Sequence, residues 1–331
     1  MSDCFRIEAD RRSRPGLQQG DVVMHDLIVV GGGPAGITAA VTAINRRLET
    51  LVIAERWGGQ TTYLLELEDT DVHSVVTGEE LLAGFRQQLD YLEFCRLFDR
   101  VVQVSPVGDR FSVVTADGDR FEAQALIIAT GAKPERLNVP GEERLLGRGL
   151  SYSVVTHGAL FLGKQVAVVG THRRAQLAAL ELSRSSHHVH LFAPDLLPAD
   201  QALVQTLRRT PNVTTHEGAA VREIRGDRYV EAIVVETIEG ALLEVPVKGV
   251  FVKLPRKANS ELVRDWVDVD DRDRIRIDLH GATSHPGVFA AGDVTHISEH
   301  VLVHIGEGAK AAISAYGYLL DRWGQGTAAE P

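Results

Sequence analysis

Asp26-Leu27-Ile28-Val29-Val30-Gly31-Gly32-Gly33-Pro34-Ala35-Gly36 is the stretch that decides the fold. Its opening residues read as a buried strand: apolar, mostly β-branched and without a breaker. A Gly-x-Gly-x-x-Gly turn follows at once, with glycines at 31, 33 and 36. A helix pattern opens at Ala35 and runs to Ile44, and a second strand, Leu51-Val52-Ile53-Ala54, ends in Glu55. Strand, glycine turn, helix and strand make a dinucleotide-binding signature in which each part has a physical job. Gly31 permits the tight turn. Gly33 lets the backbone approach a pyrophosphate, and Gly36 lets helix and strand pack closely. The helix N-terminus, at Pro34 and Ala35, offers N–H groups and positive dipole character to the anion. Glu55 stands about 20 residues on, where a carboxylate bonds a ribose 2′-hydroxyl.

The remainder of the chain bounds this reading. Its 331 residues suit two domains better than one. The formal net charge of −10 gives no general attraction for nucleic acid or anionic lipid. No apolar run reaches membrane length, so neither nucleic acid nor membrane is an expected partner. Residues 1–23 contain Arg11-Arg12-Ser13-Arg14 but no apolar core of a secretory signal. They read as a disordered or loosely attached extension, with Met24 as an alternative start. Cys4 and Cys95 are the two cysteines. They make no disulfide framework, which suits a reducing cytoplasm.

Taken in order, Arg56 to Thr62 reads as a flexible turn and Glu79 to Tyr91 as a helix. Val101 to Val107 and Phe111 to Thr115 read as a hairpin turning at Gly108-Asp109. A strand over Phe121 to Ala129 closes in Thr130-Gly131-Ala132. Pro134, Pro140 and Gly141 then mark a domain boundary. A second strand–helix–strand unit starts at Gln165 to Gly170, with a helix over Arg173 to Ser183 and a strand over His188 to Phe192. Strands are expected near 213–216, 230–237 and 241–252, then at Arg274 to Ile277 and Gly287 to Ala290. A last helix is expected over Glu307 to Leu320.

The motif order is Gly-x-Gly-x-x-Gly, Gly59-Gln60-Thr61, Ala129-Thr130-Gly131-Ala132, a second nucleotide unit, Gly287 to Asp293, then Gly306-Glu307-Gly308-Ala309. This resembles the low-molecular-weight thioredoxin reductases and their flavoprotein relatives. The resemblance implies an α/β fold of two Rossmann-like, three-layer nucleotide-binding domains, the second inserted in the first. It implies an FAD domain over 24–133 and 253–331 and a degenerate NAD(P)-binding-like domain over 134–252. Carried over, Gly31, Gly33, Pro34, Ala35 and Gly36 would hold the FAD pyrophosphate, and Glu55 the adenosine ribose. Gly59 and Gln60 would lie along the flavin, and Thr130 and Gly131 close to the cofactor. Gly292 and Asp293 would meet the ribityl or pyrophosphate region. The helix starting about Val301 would aim its N-terminus at the flavin pyrimidine carbonyl. A homodimer is expected from the resemblance alone.

The departures cluster on the chemistry. The reductases carry Cys-Ala-Thr-Cys-Asp-Gly after a lead like Gly147-Arg148-Gly149-Leu150-Ser151-Tyr152. Here that segment reads Ser153-Val154-Val155-Thr156-His157-Gly158. Ser153 and Thr156 replace both cysteines, and hydroxyls cannot cycle between dithiol and disulfide. His157 replaces the acid; as an imidazole it is the candidate catalytic residue, passing a proton to or from reduced flavin or substrate. The second glycine turn reads Gly170-Thr171-His172-Arg173-Arg174-Ala175, with a histidine where a pyrophosphate would approach. Ala193-Pro194-Asp195 replaces an arginine-bearing NADPH selector, and Pro255 to Asn259 departs from the family pattern too.

His172, Arg173 and Arg174 allow two readings: a rebuilt anion site for a second nucleotide, or a degenerate turn with solvated side chains. Lys253, Arg256 and Lys257 read either as a dock for an acidic electron carrier, ferredoxin or flavodoxin, or as solvated hinge residues. His187, His188 and His190 have no carboxylate or cysteine beside them, and no metal site is expected. The leading expectation is an FAD-dependent oxidoreductase without dithiol chemistry. It would exchange electrons with a protein partner or small-molecule substrate, its source not NADPH at the usual site. The alternatives are a non-catalytic FAD-binding sensor or scaffold, and, more weakly, a thioredoxin-disulfide reductase or ferredoxin-NAD(P) reductase.

Overall fold

The structure, a computed structural model, describes residues 23–62, 65–67, 83, 87, 95–198, 201–297 and 300–327. The N-terminal lead with Cys4 and, apart from Ala83 and Gln87, the helix expected over Glu79 to Tyr91 lie outside the described residues. The chain divides into two compact units. One comprises Met1–Thr62, Gly78–Lys133 and Lys257–Pro331; the other comprises Tyr63–Thr77 and Pro134–Arg256.

In the first unit, β1 (Val23–Val30) leads into α1 (Pro34–Asn45) and β2 (Thr50–Ile53). Then come β3 (Arg96–Leu97), β4 (Val101–Val107), β5 (Arg110–Thr115) and β6 (Arg120–Ile128). The strand order is β3-β2-β1-β6-β5-β4. β1, β2, β3 and β6 pair in parallel, while β4 and β5 are an antiparallel hairpin on the edge. From Leu27 to Val30 β1 is covered on both faces, which is why that stretch is continuously apolar instead of alternating. Leu27 and Val29 pack with α1, while Ile28 and Val30 pack in the opposite core. Each such side chain contributes roughly 1.5–3 kcal/mol on burial.

The chain leaves this unit through β7 (Ala132–Pro134). The second unit holds α2 (Glu142–Leu145), β8 (Leu150–Ser151), α3 (Val154–His157), β9 (Gln165–Val169) and α4 (Arg173–Ser183). It continues with β10 (His188–Ala193), α5 (Ala202–Arg209) and β11 (Val213–Glu217). After these come β12 (Ala220–Arg225), β13 (Ala232–Glu236), β14 (Leu242–Pro246) and β15 (Gly249–Val252). One sheet is all parallel, in the order β11-β10-β9-β15-β8; β12-β13-β14 is a separate antiparallel sheet. The chain returns through β16 (Arg256–Ala258), which pairs with β7, then β17 (Val288–Ala290) and α6 (Val301–Thr327). β17 pairs with β6 beyond the point where β5 ends, completing the parallel core of the first sheet.

Several expectations need correction. The stretch 241–252 is two strands in different sheets, because the chain turns at Val247-Lys248. β12 was not anticipated. Arg274 to Ile277 forms no strand; Ile275 makes isolated bridges to Val269 and Thr295. The last helix begins at Val301, where the resemblance puts its start, and six residues before the Glu307 start read from the helical pattern, which Gly306 and Gly308 hide. Residues 65–67, placed with the FAD domain by sequence, pack in the second unit, where Leu65 joins the core and Glu66 N–H donates to Gly147 O at 2.7 Å.

The second unit also gathers three imidazoles on β10 and β11. His190 Nδ1 lies 3.2 Å from His216 Nε2, and the His188 ring centroid is 4.7 Å from that of His190. Burial holds the His190 pKa down to about 4 from 6.5, helped by the neighbouring charges of His188 and His216. His216 is shifted the same way, mainly by burial. Unfolded histidines bind protons first as pH falls, so the folded state loses stability from about pH 6.5 downward until the folded pKa is reached. Urea midpoints measured between these limits will therefore fall with pH, and the His190→Gln/His216→Gln double variant will show a flatter profile.

Candidate cofactor site

The strand register of the first unit assembles the site. Val30 lies opposite both Ile53 and Ile128, and Ala290 opposite Ile128. Four segments therefore leave the sheet side by side: 31–36, 54–55, 129–131 and 291–293. This is the carboxyl edge of the parallel strands, at the point where strand order reverses, which is where such sheets bind ligands.

The three glycines have three separable roles. Gly31 has φ +116°, and a Cβ there would lie 2.3 Å from Ala129 O. At Gly36 a Cβ would lie 1.9 Å from Gly31 O, so α1 packs on the turn only without a side chain. Gly33 caps α1 with φ −78° and ψ −176°, extended backbone open to any residue. Nothing lies within 4 Å of the place its Cβ would occupy. That glycine is required neither by backbone conformation nor by the protein's packing; it leaves room. Pro34 has no N–H to offer. The first-turn amides of Ala35 and Gly36 have no intrahelical acceptor, and α1 has no acidic residue in that turn. The space and the donors fit a diphosphate.

The other candidates surround this turn. The Arg56 to Thr62 turn is tied down: Gly58 N–H donates to Gly32 O at 2.8 Å, and a short 3-10 turn spans Gly59–Thr62. Gly59 (φ +57°) faces Gly33, its Cβ position 3.1 Å from Gly33 Cα. Gln60 Nε2 donates to Ala132 O. Glu55 is exposed at the end of β2, 3.6 Å from Arg100 Nε. Thr130-Gly131 is held by Asn259, a residue that sequence reasoning assigned to the other nucleotide. Asn259 N–H donates to Gly131 O (3.0 Å), its Nδ2 donates to Thr130 O (2.8 Å), and Thr130 Oγ1 donates to Asn259 O (2.6 Å).

Gly292 (φ +85°) turns the chain into Asp293. Asp293 Oδ1 lies 3.2 Å from His304 Nε2, with both side chains nearly buried. Gly292 N–H donates to Glu307 Oε2 at 2.8 Å. Burial pushes the Glu307 pKa up, the Asp293 charge adds to this, and the Gly292 amide, His304 and Lys310 oppose it. Val301 is the first residue of α6, and Leu302 N–H donates to His300 Nδ1 at 3.3 Å. His304 and Glu307 were not singled out from sequence, though Glu307 stands inside the quoted Gly306-Glu307-Gly308 motif.

The second turn repeats the backbone arrangement of the first. Gly31 N–H donates to Ile53 O and Gly170 N–H to Phe192 O, both at 2.9 Å. Gly170 (φ +144°) sits with its Cβ position 2.6 Å from Lys253 O, as Gly31 sits on Ala129 O. His172 caps α4 with φ −70° and ψ 165°, close to Gly33. The backbone of the turn is kept, and where the first turn has Gly33 the second carries the exposed side chain of His172. Asp195 stands one residue beyond the counterpart of Glu55, and its Oδ2 accepts from Thr171 Oγ1 at 3.2 Å. Arg174 Nη1 donates to Leu254 O at 3.4 Å. Lys253 is only 9% exposed, and its Nζ donates to Tyr152 O at 2.6 Å. Lys257 lies 3.9 Å from Glu261. The expected basic dock of Lys253, Arg256 and Lys257 thus loses its first member to burial.

At the segment aligned with the reductase thiols, Ser153 Oγ donates to Thr156 Oγ1 at 2.9 Å and accepts from Thr156 N–H at 3.2 Å. His157 ends α3, its Nδ1 2.7 Å from Ser151 Oγ. Cys95 is a buried thiol. Among the described residues no cluster of three or more acidic, histidine or cysteine side chains could hold a metal, and no helix is long and apolar enough to cross a membrane.

Residues 25–313 match the family described as pyridine nucleotide-disulphide oxidoreductase. The NADH dehydrogenase of Bacillus subtilis (strain 168) is 34% identical over 299 residues, covering 89% of this chain and 58% of its own length. One alkyl hydroperoxide reductase subunit of Xanthomonas campestris pv. phaseoli is 34% identical over 302 residues, covering 89% and 57%. The chain thus spans little more than half the length of these curated relatives. Among solved structures, thioredoxin reductase from Streptococcus pyogenes MGAS5005 is similar with a TM-score of 0.80 at 30% identity, covering 91% of this chain and 100% of that one. Thioredoxin reductase from Giardia duodenalis gives 0.79 at 25% identity, covering 90% and 99%. The chain belongs to the pyridine nucleotide-disulphide oxidoreductase family, a class of flavin-dependent oxidoreductases, and FAD is its cofactor.

The glycine roles separate in experiment. Gly33→Ala will change apoprotein stability by less than ~1 kcal/mol, since its backbone suits alanine, yet will lower the FAD content of the purified protein. Gly36→Ala will lower the melting temperature of the apoprotein itself, because its Cβ meets backbone.

Proposed function

We propose that this protein is an FAD-dependent oxidoreductase that works without a dithiol relay. The flavin would exchange electrons directly with a small-molecule donor or acceptor. FAD supplies the two-electron chemistry, and the chain holds it, orients it and manages the proton. The observation that carries this reading is the Ser153–Thr156 hydroxyl pair, hydrogen-bonded to each other where the resembling reductases place their thiols. Hydroxyl oxygens form no reducible bond, so the segment holds structure and not electrons. The buried Cys95 offers no exposed thiolate in their place.

His157 is the proposed proton carrier. Its Nδ1 contact with Ser151 Oγ orients the ring that would hold or pass a proton. NADPH at the second turn is disfavoured by Asp195, whose carboxylate stands beside Thr171 where a 2′-phosphate would bring like charge.

Anaerobic flavin bleaching tests this directly. Bleaching by NADPH is expected to be slower than by other donors, and oxidised thioredoxin or a disulfide reagent such as DTNB is expected to go unreduced. Fast NADPH-dependent disulfide reduction would refute the proposal. A stoichiometric flavin that no donor bleaches would support a non-catalytic sensor or scaffold instead. His157→Ala is expected to slow the proton-coupled half-reaction by ~10²-fold, read by stopped-flow absorbance of the flavin.

A further inference from the structure

Glu307 is a buried acid for which neither the fold nor the proposed chemistry accounts. It is 4% exposed. Its Oε2 accepts from Gly292 N–H at 2.8 Å, while its Oε1 is buried without a hydrogen-bond partner. A single carboxylate oxygen left in this way normally costs stability.

Its neighbours say what it faces. Gly308, the next residue, lies against the first turn of α1, where its Cβ would be 2.1 Å from Ala35 O. Gly292 touches the same residue from another side, its Cβ position 3.2 Å from Ala35 Cβ. Glu307 is thus anchored on the two elements that flank the first-turn amides next to the open space at Gly33. Asp293 adds a second nearly buried carboxylate, facing His304 at 3.2 Å. The charged groups bearing on Glu307 are His304 and Lys310 from α6 and Asp293 from the turn after β17; the first turn of α1 supplies no acid.

A diphosphate brings two negative charges into this surrounding. In a desolvated site, like charge is relieved by protonating the weakest acid present. We propose that Glu307 takes up one solvent proton when FAD binds, so that FAD loading is proton-linked. The proton converts the carboxyl from an acceptor with an unused oxygen into a donor, and removes one negative charge beside the incoming diphosphate. Burial already biases the acid toward the neutral form, in the same direction.

The test is FAD binding to the apoprotein, followed by flavin fluorescence and by titration calorimetry in two buffers of different ionisation heat. Affinity is expected to rise as pH falls through the interval between the Glu307 pKa values of the apoprotein and the FAD complex, approaching ~10-fold per pH unit at its steepest. Calorimetry is expected to show net proton uptake by the wild-type protein. E307Q, fixed in the neutral shape, is expected to bind FAD with a flat pH profile and more tightly than wild type at the alkaline end. Wild-type binding without proton uptake overturns the proposal, whether or not E307Q folds. So does a slope that survives in E307Q and vanishes in H304Q, which would assign the proton to His304. Absence of FAD binding at every pH would instead strike the cofactor assignment on which the proposal rests.

Discussion

The alignment of strand ends is the constraint on which the first unit depends. Val30, Ile53, Ile128 and Ala290 finish at one level because parallel pairing fixes their register residue by residue. A one-residue slip would turn every side chain to the wrong face of a sheet covered on both sides. The burial that holds the sheet together therefore also brings together segments that are up to about 260 residues apart in sequence. Small residues then let the helices close on the same place. Gly36 admits α1 to the turn, and Gly308 admits α6 to the backbone of α1. In this unit the stability of the core and the shape of the cofactor's seat come from the same contacts.

Much of this was legible in the sequence. The opening glycine stretch and the second nucleotide unit follow from hydrophobic period and turn chemistry, which act locally, while the other segments at the carboxyl edge were pointed out by the family resemblance. The Arg173–Ser183 helix appears with its expected bounds. The errors have long-range causes. Lys253 reads as a surface cation until β15 carries it inward to Tyr152. Asn259 reads as part of the second nucleotide site until its hydrogen bonds to Thr130 and Gly131 show it bracing the first unit. The start of α6 is obscured by glycines, whose low helix propensity is outweighed by packing against Ala35. The burial of Glu307 carried no local signal beyond its place in the Gly306-Glu307-Gly308 motif, because an acid on a helix ordinarily faces water.

The hydroxyls at 153 and 156 show how a segment can keep its geometry while its chemistry changes. Ser153 caps α3 by accepting from Thr156 N–H, which satisfies a helix-start donor. Both side chains bond inside the segment, so neither is a leftover polar group. Ser151 extends the network by meeting His157 and Ser153 N–H. The short helix is held by a polar web that includes an ionisable imidazole.

At the cap position the two turns carry Gly33 and His172, and both caps have ordinary extended backbone. Residue 172 is thus uncoupled from folding: any side chain could stand there while the strand, the helix and the rest of the unit form as before. Positions of this kind are where a lineage can trade one ligand for another by single steps, without passing through unfolded intermediates. Gly31 and Gly36 in the first unit allow no such drift, since a side chain at either would meet backbone. Mutation can alter the second turn at its cap far more readily than it can alter the first at Gly31 or Gly36.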